Sequence, residues 1–201
     1  FIDQEVGLVI KTNLMSNSIM DWEDLNKRVK NMIEPYKERK CSIYLLHGDL
    51  SAGQMTGLYQ NEKIKGMINI AHGEGFGLPM FEAAREGLPI TTIGWSGQLD
   101  FLHHDGVDYF NKVDFSMQPI QQVAVWPGVL ESDSMWGYAD QGSYKMALRK
   151  AYKNYDKMKE TMQAWSLKDF HEFYGFTHKD WRSGEEIKYR GNNAINNKSN
   201  K

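Results

Sequence analysis

The residues whose types and spacing could do chemistry lie together in His72-Gly73-Glu74-Gly75-Phe76-Gly77-Leu78-Pro79-Met80-Phe81-Glu82-Ala83. Three glycines let backbone N–H groups face a ligand without interference from Cβ. Pro79 sits where a first-turn proline belongs, so a helix opens there, and its N-terminus adds partial positive charge. A phosphate is the natural guest of such a turn. Glu74 lies in the loop and Glu82 about one turn into the helix. Carboxylates are poor phosphate ligands and good acceptors for sugar hydroxyls, so the pattern points to a ligand carrying both phosphate and sugar, with Glu74 and Glu82 on separate hydroxyl groups. A dinucleotide fingerprint fits badly. The spacing is Gly73-x-Gly75-x-Gly77, and the next strand ends in Ile93-Gly94-Trp95 with no acid. A plain tight turn with two solvated glutamates remains open on the residues alone.

The elements that must position these residues alternate along the chain. Val6 to Ile10 is β-rich, and Asp21 can cap a helix with apolar positions Trp22, Leu25, Val29 and Ile33, joined by Met32. Cys41 to Leu46 reads as a buried strand, and Ser51 can cap a helix through Met55, Leu58 and Tyr59. Gly66 to Ala71 is the strand before the glycine turn, Leu88 to Ile93 the strand after its helix. The order β-α-β-α-β-α-β, with runs apolar throughout, predicts an α/β fold: a Rossmann-like parallel sheet with helices on both faces. Ligands of such sheets bind beyond the carboxyl ends of the strands. Loops 47–51, 72–78 and 94–98 are therefore expected to share one edge. From 102 to 141 the pattern weakens, apart from a strand expected over Asp108 to Asp114. A helix is expected over Ser143 to Ala164 and a short one over Leu167 to Phe176. One domain is read over 1–182, and the Asn-rich 183–201 as a disordered tail.

Bulk properties exclude several classes. The 201 residues suit one domain, and 41% hydrophobic with 25% charged is an ordinary globular balance. A net charge of −2 argues against a nucleic-acid partner. The single cysteine, Cys41, excludes an internal disulfide framework, fits a reducing, cytoplasmic setting, and reads as a small core hydrophobe. No apolar run is long enough to span a bilayer, and the first residues lack a signal-peptide pattern. His103 and His104 point in two directions on any regular element, with no third ligand at metal spacing, so no metal is expected.

Glu74-Gly75-Phe76-Gly77-Leu78-Pro79, then Glu82-Ala83 and Gly87-Leu88-Pro89-Ile90, resembles the signature of GT-B retaining glycosyltransferases, most of all glycosyltransferase family 4, where seven residues separate two glutamates. The resemblance covers about 41–102, including Leu46-His47-Gly48-Asp49-Leu50 and Gly94-Trp95-Ser96-Gly97-Gln98, where the family commonly has a paired-glycine turn. It implies the C-terminal, donor-binding half of a GT-B fold, transferring sugar with retention from a nucleotide-diphosphate-sugar and needing no metal or other cofactor. By the same resemblance Glu74 is the catalytic-site acid on hydroxyls of the transferred sugar. Gly75, Phe76, Gly77 and Leu78 line sugar and diphosphate, Glu82 holds the ribose, and Gly48 to Leu50 lie against the base. His72 either bonds the donor or satisfies backbone, and Phe76 either touches ligand or plugs the core. The acceptor (sugar, lipid-linked sugar or protein) is not implied. The family's Arg–Lys pair and its N-terminal acceptor domain are expected upstream of Phe1, so this stretch alone is expected to transfer little. Lys11 reaches a phosphate or is solvated. A non-catalytic nucleotide-sugar-binding or interaction module is the alternative.

Overall fold

The computed structural model describes residues 2–165; the expected helix over 167–176 and the tail 183–201 lie outside the described residues. The chain divides into two compact units, one up to Ser51 and one from Ala52 onward. In the first, β1 (Gly7–Thr12) and β2 (Ser42–His47) pair in parallel, Gly7 against Ser42 through Thr12 against His47. Between them run α1 (Ile19–Ile33) and a 3-10 turn (Glu34–Tyr36). The cap of α1 is Ser18 rather than Asp21: the Ser18 hydroxyl accepts from the Asp21 N–H at 3.1 Å. Ser18 and Asp21 stand at capping-box spacing, but the buried Asp21 carboxylate bonds the preceding loop, accepting from Leu14 N and Met15 N, each at 3.0 Å. The buried stripe of α1 is narrower than its sequence indicates, Leu25 and Val29, while Trp22 and Met32 are exposed. Cys41 falls just before β2, a half-buried free thiol rather than a core residue.

The second unit begins with α2 (Ala52–Tyr59), β3 (Met67–Asn69), α3 (Leu78–Arg85), β4 (Ile90–Ile93) and α4 (Leu99–Leu102). A small hairpin, β5 (His103–His104) with β6 (Val107–Asp108), leads to β7 (Asn111–Val113). A longer hairpin, β8 (Phe115–Pro119) with β9 (Met135–Ala139), carries a 3-10 turn (Gln122–Ala124) in its connection. Two helices finish it, α5 (Gln141–Lys153) and α6 (Tyr155–Trp165). Strands β3, β4 and β7 form a parallel sheet with β4 in the middle. The fold is α/β with Rossmann-like alternation, its parallel strands hydrogen-bonded in two ladders, β1–β2 and β3–β4–β7.

Successive strand residues point to opposite faces, and β4 shows helices on both. Ile90 belongs to a core with Met80, Phe81 and Ala84 of α3 and with Met162 and Trp165 of α6. Ile93, three positions on, packs instead with Val113 and Ala147 of α5. All four residues of β4 are buried, Thr91 and Thr92 included, as a strand covered on both faces requires. Asn111 ties the α5 side: its amide donates to Thr91 Oγ1 at 3.2 Å and to the Ala147 carbonyl at 2.7 Å. The strand expected over 108–114 is two, β6 and β7, and the long helix expected over 143–164 breaks at Asn154, a poor helix former, whose φ of −116° and ψ of 30° leave the helical region.

Candidate functional site

The glycine turn joins the carboxyl end of β3 to α3, and Glu74 is its most constrained residue. Its Oε1 accepts from Asn69 Nδ2 at 2.8 Å, and Asn69 Oδ1 accepts from Ala71 N at 2.8 Å, which fixes the side-chain amide's orientation. Its backbone is held from the other side by loop 94–98. The Glu74 N–H donates to Ser96 Oγ at 2.9 Å, the Ser96 hydroxyl donates to the Glu74 carbonyl at 2.7 Å, and Gly97 N donates to the same carbonyl at 3.1 Å. Loops 72–78 and 94–98 thus meet as expected. A Cβ on Gly97 would lie 2.0 Å from the Gly75 carbonyl oxygen, so the approach is backbone to backbone. Gln98, fully buried, braces the turn from beneath, its amide donating to the carbonyls of Ile93 at 3.2 Å and Trp95 at 2.6 Å.

Gly77 takes a φ of +83° at the N-cap of α3, and its carbonyl accepts from Met80 N and Phe81 N. Among the described residues no acceptor meets the N–H groups of Gly75, Phe76, Gly77 or Leu78. Four open amides running into a helix N-terminus form a concavity suited to an anion. Phe76 packs on the core, its ring 5.0 Å from Phe81 and 5.1 Å from Phe101, while 39% of the residue stays exposed.

His72, just before the turn, is tied to β9. Its Nδ1 donates to the Gly137 carbonyl at 3.1 Å, while its own carbonyl accepts from Gly137 N and Trp95 Nε1, each at 3.0 Å. A carbonyl only accepts, so the proton sits on Nδ1. The imidazole stacks on Trp136, centroids 5.1 Å apart and 9° from parallel, and lies 4.2 Å from Tyr138. His72 therefore satisfies backbone, and the excursion 102–141 is wired to the turn through it.

Glu82, one turn into α3, accepts from the Tyr59 hydroxyl of α2 at 3.3 Å. Burial holds its carboxyl above the usual carboxylate range, opposed by the Tyr59 hydrogen bond and the Arg85 charge. Burial and the neighbouring Glu82 push the Tyr59 phenol upward in turn. Gly48 and Leu50 belong to the first unit. There Gly48 has a φ of +93°, and its carbonyl accepts from Lys11 Nζ, so Lys11 is a structural tie. Asn17 clasps Asp49 twice, at 2.6 and 2.8 Å, and His47 Nε2 lies 2.8 Å from Asp21. The Asp21 carboxyl is held low, first by the Leu14 amide and then by His47. His103 Nδ1 meets Asp108 at 2.6 Å across the small hairpin.

A cavity of about 230 Å³ lies elsewhere, lined by Ile90, Asn111, Lys150 and Lys157 among others. Ile90 and Asn111 begin their strands, so it sits at the amino ends of the sheet, away from the glycine turn. Residue reading did not find Asn69, Tyr59 or the clamp made by Ser96. The one signal in the sequence was Ser96 itself, a serine where the turn calls for glycine.

No family model and no curated protein matches the chain. Among solved structures it is similar to the catalytic domain of starch synthase IV from Arabidopsis thaliana bound to ADP and acarbose, at 13% identity and a TM-score of 0.46. It is also similar to a GtfA/B complex, at 14% identity and a TM-score of 0.30. In each comparison the match covers 85% of this chain and 36% of the other, so the chain spans about a third of those proteins.

Proposed function

We propose that this chain is the donor-binding part of a retaining glycosyltransferase, which takes its sugar from a nucleotide-diphosphate-sugar and passes it to a sugar, a lipid-linked sugar or a protein. The observation that carries the reading is the join of Glu74 to the open amides. A carboxylate held by Asn69, on a backbone held by Ser96, stands directly before four unpartnered N–H groups and a helix N-terminus. A carboxylate suits hydroxyls and repels phosphate; amides at a helix start do the reverse. A ligand bearing a sugar on a diphosphate satisfies both.

In this reading the Gly75 to Leu78 amides take the diphosphate, and Glu74 takes hydroxyls of the sugar beside it. As the anomeric bond breaks, negative charge grows on the departing diphosphate, where fixed amides and the helix dipole stabilise it without reorganising. The reaction needs no metal, and a second α/β domain supplies the acceptor side. Glu82 accepts from ribose hydroxyls on the edge of its carboxylate not used by Tyr59.

Calorimetric titration of the chain with UDP-, GDP- and ADP-sugars, repeated on Glu82→Ala, tests this. Binding of one donor by the native chain, weakened at least tenfold in the variant, is expected. A folded native chain that binds none of the three sinks the reading.

A further inference from the structure

Two residues other than glycine have a clearly left-handed backbone among those described, Ser96 at φ +84° and Asp105 at φ +51°. Asp105 is explained by its place: with Gly106 it forms the two-residue loop of the β5–β6 hairpin, where Asp-Gly is favoured. Ser96 has no such account. A left-handed conformation strains any residue with a Cβ, glycine removes that strain, and strain of this kind persists where the surroundings impose it for another reason. The reason is visible in the hydroxyl. Ser96 Oγ accepts from the Glu74 N–H at 2.9 Å and donates to the Glu74 carbonyl at 2.7 Å, so one side-chain atom holds both polar groups of one peptide residue.

No other side chain among the described residues binds the Glu74 backbone. The remaining hold on its carbonyl is Gly97 N, the residue next to Ser96. The turn that presents Ser96 is in turn braced by Gln98 and by the Trp95 indole on the His72 carbonyl. A glycine at position 96 would keep the turn and lose the grip. We infer that Ser96 is a positioning residue for Glu74, accepting backbone strain so that its hydroxyl sets where the Glu74 carboxylate meets the sugar. This rests on the glycosyltransferase reading above and adds to it the residue that aims the sugar acid.

The experiment measures two affinities on each protein: for the nucleotide-diphosphate-sugar that the native chain binds best, and for the matching nucleoside diphosphate without sugar. Ser96→Gly relieves the strain while removing the hydroxyl, so its melting temperature is expected to equal or exceed that of the native chain. Its affinity for the nucleoside diphosphate should be unchanged, and its affinity for the sugar-bearing donor should fall about tenfold. A merely structural role would lower both affinities together. On a Glu74→Gln background Ser96→Gly should cost nothing further, because the two act as one unit. Equal binding of the donor by native chain and Ser96→Gly overturns the positioning role and leaves the glycosyltransferase reading standing. A native chain that binds the nucleoside diphosphate with no gain from the sugar overturns both.

Discussion

Among single residues, Glu74 and Glu82 differ in what holds their carboxylates. Both are partly buried, but Glu74 accepts from the Asn69 amide in the glycine turn, whereas Glu82, on α3, accepts from a phenol. Burial is the largest influence on the Glu82 carboxyl and raises it above its ordinary value of 4.5. A carboxyl whose folded pKa is raised binds protons more tightly folded than unfolded. Its contribution to stability is therefore complete below pH 4.5 and is lost as pH rises through the folded value. At neutral pH the Glu82 charge works against folding. Glu82→Gln keeps the shape and the acceptor for Tyr59 without the charge, so it should melt higher than the native chain at pH 7. The gap should close as the pH falls below 4.5. Thermal melts of both proteins across pH 3.5 to 8 check this. A variant less stable than the native chain at pH 7 would mean that the Arg85 charge outweighs burial. A group that costs stability where it stands fits a role in binding better than one in folding.

The loop pair is the element that turns these residues into a site, and its geometry is dictated by backbone contact. Gly97 and Gly75 look alike in sequence, yet a Cβ at 97 would strike the Gly75 carbonyl at 2.0 Å, while one at 75 would meet nothing within 4 Å. Gly97→Ala should cost about 3 kcal/mol, the upper end of overpacking, because the obstacle is main chain and cannot rotate aside. Gly75→Ala should cost well under 1 kcal/mol. Chemical denaturation of the two variants beside the native chain separates them, and equal midpoints would refute the argument. The same contrast explains what the sequence made legible. The strand–glycine–proline–helix order of β3 and α3 and the meeting of loops 72–78 and 94–98 follow from local chemistry, and residues 66–98 announce them. The β8–β9 hairpin does not announce itself. Its strands carry Pro119, Gly137 and polar residues, and its place depends on long-range ties such as Gly137 to His72. The Ser96 clamp spans 22 residues and has no signature beyond a serine in a glycine's place. Apolar spacing likewise overstates the buried face of α1, since Trp22 is paired by period with Leu25 and Val29 but stays exposed.

At the scale of the whole molecule, apolar burial is divided unevenly. The unit from Ala52 onward holds both cores, one around Met80, Phe81, Ile90, Phe101 and Trp165, the other around Ile93 and Val113. The unit up to Ser51 buries Leu25 and Val29, while Leu8 and Tyr44 on its two strands are exposed. A two-stranded sheet is marginal by itself, and parallel pairs ordinarily require cover on both faces. Its polar ties, Asp21 to His47, Asn17 to Asp49 and Lys11 to Gly48, fix a shape and supply little net stability, because each exchanges bonds that water would otherwise make. At about 50 residues, a chain without disulfide or metal sits near the lower limit of independent folding. Residues 1–51, expressed alone, should therefore show no cooperative thermal transition by circular dichroism, and residues 52–201 should keep one. A sharp transition in the short fragment would show that the polar clasp at the ends of β1 and β2 stabilises far more than its individual hydrogen bonds. In that case the turn at Gly48 would be as rigid a feature of the protein as the glycine turn at Glu74.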